Sequence, residues 1–141
     1  MTPAGLYLVD TSAVSRIADP VVRDVLTRLG AQGLLATCPT VDLEVGFSAR
    51  SPADYRTINA LRTLGFTTLP LTPDVGRRAL AVQGMLARTS QHRAAGVIDL
   101  LTAAVAELHR ATVLHYDGDF DHIAAVSGQS VEWVVPRGTA G

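Results

Sequence analysis

The sequence predicts an α/β fold: three layers, α/β/α, around a central parallel sheet of four or five short strands. Three observations carry that reading. Short apolar runs alternate with helical segments along the whole chain, which implies parallel strands joined by crossover helices. The first run, Leu6-Tyr-Leu-Val9, stops abruptly at an acid, Asp10. The chain has 141 residues, 48% hydrophobic and 18% charged, the composition of one packed core and not of a disordered chain. A single domain over residues 1–141 is therefore expected, with no linker, repeat or low-complexity tract.

The elements follow in order. Leu6–Val9 is a buried strand. Asp10, Thr11 and Ser12 all favour a helix N-cap, so a short helix of about two turns should follow. Pro20 opens a second helix, in which Val21, Val22, Val25, Leu26 and Leu29 share a face. Gly30 and Gly33 end it, and Leu34–Thr37 is the second strand. Pro39 opens a helix to about Arg50, and Ser51-Pro52 opens the next, ending near Gly65. Phe66–Leu69 is a third strand. Thr72-Pro73-Asp74 should cap a long helix with Val75, Ala79, Val82 and Leu86 at helical spacing. The polar loop Ser90–Arg93 leads through Gly96 into a helix from about Val97 to Arg110. Thr112–His115 is a fourth strand, Asp117–Asp121 a turn into a short helix, and Val131–Val135 a fifth strand.

Composition excludes several functions. All twelve basic residues other than histidine are arginine; there is no lysine. A phosphate-binding P-loop and Schiff-base chemistry both need one. Receiver domains and aspartate-nucleophile phosphatases would normally include one as well. The single Cys38 forms no intrachain disulfide and there is no Cys/His zinc cluster, which suits a reducing cytoplasm. Residues 1–5 have neither the basic nor the apolar region of a signal peptide, and no apolar run reaches the ~18 residues of a membrane span.

The acids are the informative residues. In an open parallel sheet, ligands bind beyond the carboxyl ends of the strands. Asp10 ends the first strand, Glu44 lies on the helix after the second, and Asp99 opens the Val97–Arg110 helix. Asp117 follows the fourth strand, with Asp119 two residues on. Singly, each has a plain structural reading. Asp10 would serve as a helix cap, Asp99 as a dipole partner, and Asp117-Gly118-Asp119 as turn chemistry. Spacing alone does not separate Glu44 from Asp42. However, the Asp99 helix is apolar nearly all round, so its carboxylate is expected to be buried and to need a partner. Clustered carboxylates repel unless a cation neutralises them, and oxygen donors without His or Cys suit Mg²⁺ or Mn²⁺. The usual enzymatic task of such ions is phosphate chemistry.

Charge points the same way. The formal net charge is -1, from twelve arginines and thirteen acids. Setting aside Asp10, Glu44, Asp99, Asp117 and Asp119 leaves eight acids, so the remaining surface carries about +4. An acidic pocket in a mildly basic surface fits a metal-dependent nuclease. Arg93, in the loop before the Asp99 helix, is the first candidate for a contact to nucleic-acid phosphate. Seven aromatic residues are too few for extensive base stacking.

Four segments carry a resemblance: Leu8-Val-Asp-Thr-Ser12, Pro39-Thr-Val-Asp-Leu-Glu-Val-Gly46, Ile98-Asp-Leu-Leu-Thr-Ala-Ala104 and Val113-Leu-His-Tyr-Asp-Gly-Asp-Phe120. The chain resembles the PIN-domain ribonucleases, specifically the VapC-type toxins of toxin–antitoxin systems. The likeness extends through Val131-Glu-Trp133 and Pro136-Arg-Gly138. It implies a PIN-like domain and an endoribonuclease that hydrolyses RNA with Mg²⁺, Mn²⁺ being an alternative. It also implies metal-binding acids at Asp10, Glu44, Asp99 and Asp117, and so prefers Glu44 to Asp42. Asp119, Thr11, Ser12 and His115 match surrounding positions, with His115 standing where a small residue is common. The implied partners are a VapB-type antitoxin, whose tail would bring an arginine to the acids, and a second copy of the chain. The apolar faces near Val41–Phe47 and Val75–Leu86 offer an interface for that copy, or belong to the core. Two other functions compete: a PIN-like module that grips RNA or protein without cutting, and a metal-dependent small-molecule phosphatase.

Overall fold

The structure, a computed structural model, describes residues 5–141. The reading of the amino terminus as lacking a leader falls largely on residues outside that range. The described residues form five strands and seven helices. They run β1 (Tyr7–Val9), α1 (Thr11–Val14), α2 (Pro20–Ala31), β2 (Leu35–Thr37), α3 (Pro39–Phe47), α4 (Pro52–Gly65) and β3 (Thr67–Thr68). Then come α5 (Pro73–Ala87), α6 (Val97–Leu108), β4 (Thr112–His115), α7 (Asp119–Ser127) and β5 (Val131–Trp133).

All five strands are parallel, in the order β3-β2-β1-β4-β5. Tyr7 stands opposite both Leu35 and Thr112, so β1 is the central strand. From β1 the chain winds outward through β2 and β3, then returns to β4 on the other side of β1. The reversal makes the carboxyl ends of β1 and β4 the topological switch point, where such sheets bind ligands. Asp10 and Asp117 stand at that crevice.

Alternation along the strands sorts the side chains into two cores. Leu8 and Val113 face a layer built from α5, α6 and α7, with Val75, Val82, Leu86, Val105, Phe120 and Ile123 buried there. Val9 and Leu114 face the opposite layer, against Ala13, Val22 and Leu26 of α1 and α2. The expected apolar stripe Val75, Ala79, Val82 and Leu86 is therefore core and not a free interface. On α3, Val41 is buried whereas Leu43 and Phe47 point outward, Phe47 being 93% exposed.

Several boundaries differ from the sequence expectation. Helix α1 is a single α-turn, continued to Asp19 by isolated turn hydrogen bonds. Helix α3 ends at Phe47, three residues early, where the Ser48 hydroxyl donates to the Val45 carbonyl. Strand β5 ends at Trp133, and β3 is only two residues long. Thr72 occupies the N-cap of α5 but its side chain makes no capping bond; Pro73 at N1 sets the start instead. Asp19 and Ser51 do cap α2 and α4.

Candidate metal centre

Each acid reaches the switch point for a local reason. Asp10 ends β1 because its backbone N–H donates to the Leu114 carbonyl at 2.9 Å, the last rung toward β4. Its Oδ2 then accepts from the Ser12 N–H (3.0 Å) and hydroxyl (2.7 Å), capping α1. Asp10 is only 3% exposed, and its Oδ1 is buried with no hydrogen-bond partner. The capping reading is thus correct for one oxygen and leaves the other unexplained.

The Ser12 hydroxyl also accepts from the Tyr116 N–H at 2.9 Å. One hydroxyl therefore ties the end of β1 to the residue preceding Asp117. Thr11 donates its hydroxyl to Glu44 Oε1 at 3.0 Å, fixing α3 against the start of α1. Asp42 turns elsewhere. It accepts from the Thr37 hydroxyl (2.5 Å) and pairs with Arg62 of α4 (3.3 Å). Spacing leaves the two acids of α3 level; in the structure Glu44 lies on the side of Asp10 and Asp117, and Asp42 holds α3 to β2 and α4.

Asp99, Asp117 and Asp119 form the tightest group. Each offers a carboxylate oxygen, and these oxygens lie within 4.8 Å of one another. Asp99 occupies the first turn of α6, close over Gly96, where a Cβ would stand 3.4 Å from its Oδ2. Asp117 Oδ1 accepts from the Asp119 N–H at 2.9 Å, a local turn that points both side chains the same way. Asp119, expected around the site, thus stands within its closest cluster.

His115 is fully buried. Its Nδ1 accepts from the Asp117 N–H at 3.1 Å, while the ring sits 5.0 Å from both the Phe120 and Trp133 rings. Burial pushes its pKa down, so it is a neutral acceptor with its proton on Nε2. Arg93 is exposed in the turn before α6, and among the described residues no ion pair engages it.

Electrostatics reflect the crowding. Burial raises the Asp99 carboxyl to about 8, reinforced by Asp10, Asp117 and Asp119. Asp10 and Glu44 are also raised, each chiefly by burial. The hydrogen bonds from Ser12 and Thr11 oppose those shifts. The helix dipole at the start of α6 favours an anion, yet desolvation and like charge win at Asp99. A divalent cation would reverse the balance. The orphaned Asp10 oxygen, the converging aspartates and the all-oxygen donor set fit such an ion.

Sequence reasoning gave no role to two arginines at this edge, although Arg137 lies in the segment Pro136-Arg-Gly138. Arg16 donates to the Ser12 carbonyl (2.7 Å) and lies 4.4 Å over the Tyr116 ring. Arg137 lies 5.5 Å over Trp133, with its Nη2 3.7 Å from where a Gly118 Cβ would be. Their proximity to strand-end motifs was the available signal.

Comparison with known proteins places this geometry. The PIN domain family model matches residues 7–126. Ribonuclease VapC51 of Mycobacterium tuberculosis is 44% identical over 133 residues, covering 94% of this chain and 96% of that protein. Ribonuclease VapC21 of the same species is 46% identical over 134 residues, covering 95% and 97%. Among solved structures, VapBC2 from Rickettsia felis, bound to a DNA fragment from its promoter, superposes with a TM-score of 0.75. It does so at 13% identity, over 90% of this chain and 97% of that one, a likeness of fold.

Proposed function

The chain belongs to the PIN-domain family, and on that premise we propose that it is the ribonuclease toxin of a toxin–antitoxin pair. It hydrolyses RNA phosphodiester bonds with a divalent cation, Mg²⁺ by preference over Mn²⁺, and works in the cytoplasm. The observation that carries this reading is the convergence of Asp99, Asp117 and Asp119 beside the unpartnered Asp10 oxygen at the sheet's switch point. Asp10, Asp99 and Asp117 would hold the cation, with Glu44 and Asp119 completing the acidic wall. Such an ion supplies charge neutralisation at a phosphodiester and activates water for its hydrolysis.

The surrounding residues preorganise that wall. The Ser12 hydroxyl holds one Asp10 oxygen and leaves the other for the ion. Thr11 orients Glu44, and His115 fixes Asp117 through its backbone N–H. His115 is too buried to touch RNA and takes no part in proton transfer to it. The VapBC pairing of the structural neighbour supports an antitoxin of the VapB type as partner, and the outward apolar face of α3 supports a second copy of this chain. No helix among the described residues is long and apolar enough to cross a membrane. The outward Leu43 and Phe47 of α3 supply apolar area for the second copy.

The test is cleavage of RNA by the purified protein, with Mg²⁺ or with chelator, beside Asp99→Asn. That substitution removes charge and keeps volume. It should nearly abolish cleavage with the fold intact by circular dichroism. Full activity in the variant would reject the site, and absence of metal-dependent cleavage in the unaltered protein would reject the nuclease reading.

A further inference from the structure

Beside the carboxylates runs a short row of alternating cations and rings. Arg16 lies over Tyr116, Tyr116 meets Trp133 edge-on at 5.3 Å, and Arg137 lies over Trp133. Tyr116 immediately precedes Asp117, and Arg137 packs over Gly118, between Asp117 and Asp119. Two positive charges therefore flank the acidic wall along the carboxyl edge of β1, β4 and β5.

Among the described residues these arginines have no anionic partner. The ion pairs among the described residues use Arg28, Arg62, Arg77 and Arg78. Arg16 spends one N–H on the Ser12 carbonyl, and its Nε is buried without a partner. Arg137 is exposed, with its guanidinium 5.5 Å from the centre of the Trp133 ring. An arginine beside several carboxylates would ordinarily pair with one of them. Cation–π contact instead holds the Arg16 guanidinium over the Tyr116 ring and the Arg137 guanidinium near the Trp133 ring, which leaves the Arg137 N–H groups and the Arg16 Nη2 without a carboxylate. Guanidinium N–H groups held in place without a carboxylate are donors suited to phosphate oxygens.

We propose that Arg16 and Arg137, held beside the Tyr116 and Trp133 rings, form a phosphate-binding track that seats an RNA strand across the carboxylate wall. The occupant is the sugar–phosphate backbone on either side of the bond to be cut, and this choice rests on the ribonuclease reading above. Base identity plays no part, because the rings are already covered by arginine, by one another and by His115. The track also offsets repulsion between the acids and an incoming polyanion.

The test measures binding without cleavage. A short fluorescein-labelled single-stranded RNA is titrated by anisotropy at several salt concentrations, on the Asp99→Asn background. Arg16→Gln and Arg137→Gln are introduced singly and together. Each should weaken binding about five- to tenfold and flatten the log–log salt dependence by about 0.7, the loss for one phosphate contact on a single strand. Arg137→Lys should keep the slope, since the charge remains, yet bind more weakly than Arg137, since the planar edge is gone. Mn²⁺ affinity, measured by calorimetry with Asp99 intact, should stay equal or tighten in Arg137→Gln, which a collapsed site would not allow.

Unchanged RNA affinity and slope in both single variants would overturn the track. So would a loss of binding to a poly-glutamate peptide with RNA binding unaffected, which would assign the arginines to a protein partner. RNA binding that responds as expected, in a protein that never cleaves, would uphold the track and reject the nuclease reading.

Discussion

At the scale of single residues, the site is governed by what burial does to charge. Partial burial and the neighbouring acids push the Asp99 carboxyl up to about 8, from its ordinary 3.8. Between those limits the folded state holds more protons than the unfolded state, so stability falls as pH rises. Asp10 and Glu44 are shifted in the same direction and add to the trend. His115, whose pKa burial lowers, opposes the trend below about pH 6.5, so the metal-free protein should lose melting temperature most clearly from about pH 7 to about pH 8. Asp99→Asn should remove much of that slope and raise the melting temperature at pH 8 by at least about 4 °C, the shift that ~1 kcal/mol produces in a domain of this size. Saturating Mg²⁺ should raise the unaltered protein at pH 8 and leave Asp99→Asn nearly unmoved. Thermal melts across pH, with chelator and with Mg²⁺, test this. A melting temperature in the variant lower than the parent's at pH 8 would mean that Asp99 serves the fold and not a cation. Burial also sets the surroundings of His115. Its ring has no exposed atom to offer, and its one hydrogen bond is spent on the Asp117 backbone.

At the scale of elements, the acids are useful only if their helices keep fixed distances. Helix α3 carries Glu44 and α6 carries Asp99. The two are joined in the core by the Thr40 and Thr102 hydroxyls, 2.8 Å apart and both buried. Thr102→Val keeps the shape, removes that bond and should cost about 1 kcal/mol in stability. It should also weaken Mn²⁺ binding in calorimetry, because α3 and α6 lose their fixed spacing. Unaltered Mn²⁺ affinity with reduced stability would confine the pair to packing. Nothing in the sequence pattern marks this bond, since two threonines 62 residues apart become neighbours only through the topology. Local chemistry was legible where it acts alone: proline at the starts of α2 to α5, alternation along β1 and β4, and the buried stripe of α5. Strand lengths were not, because an apolar run reads as strand whether or not a partner reaches it. Val134 and Val135 are buried against the α1–α2 layer without extending β5. Strand order decided which acids meet, and it also decided which acid of α3 turns away, since Asp42 is claimed by Thr37 and Arg62.

At the scale of the whole molecule, charge is segregated: five acids gather at one edge of the sheet, and the rest of the chain carries about +4. Such a protein has almost no net attraction for RNA at long range, so binding must be directed by where the arginines lie. Arg93 sits on the turn leading into α6, at the carboxyl edge. Arg28 sits in the last turn of α2, which runs back to the amino edge before β2, and it pairs there with Asp24. If the carboxyl edge is the binding face, the two arginines should differ. On the Asp99→Asn background, Arg93→Ala should weaken binding to every RNA tested and flatten the salt dependence by about 0.7 in log–log slope. Arg28→Ala should leave both quantities unchanged. Anisotropy titrations of both variants against several unrelated single-stranded RNAs provide the comparison. Equal losses from the two substitutions would mean that RNA is held by diffuse charge over the whole surface. No loss from Arg93→Ala would remove that residue from the binding face, and would leave the phosphate contacts to Arg16 and Arg137.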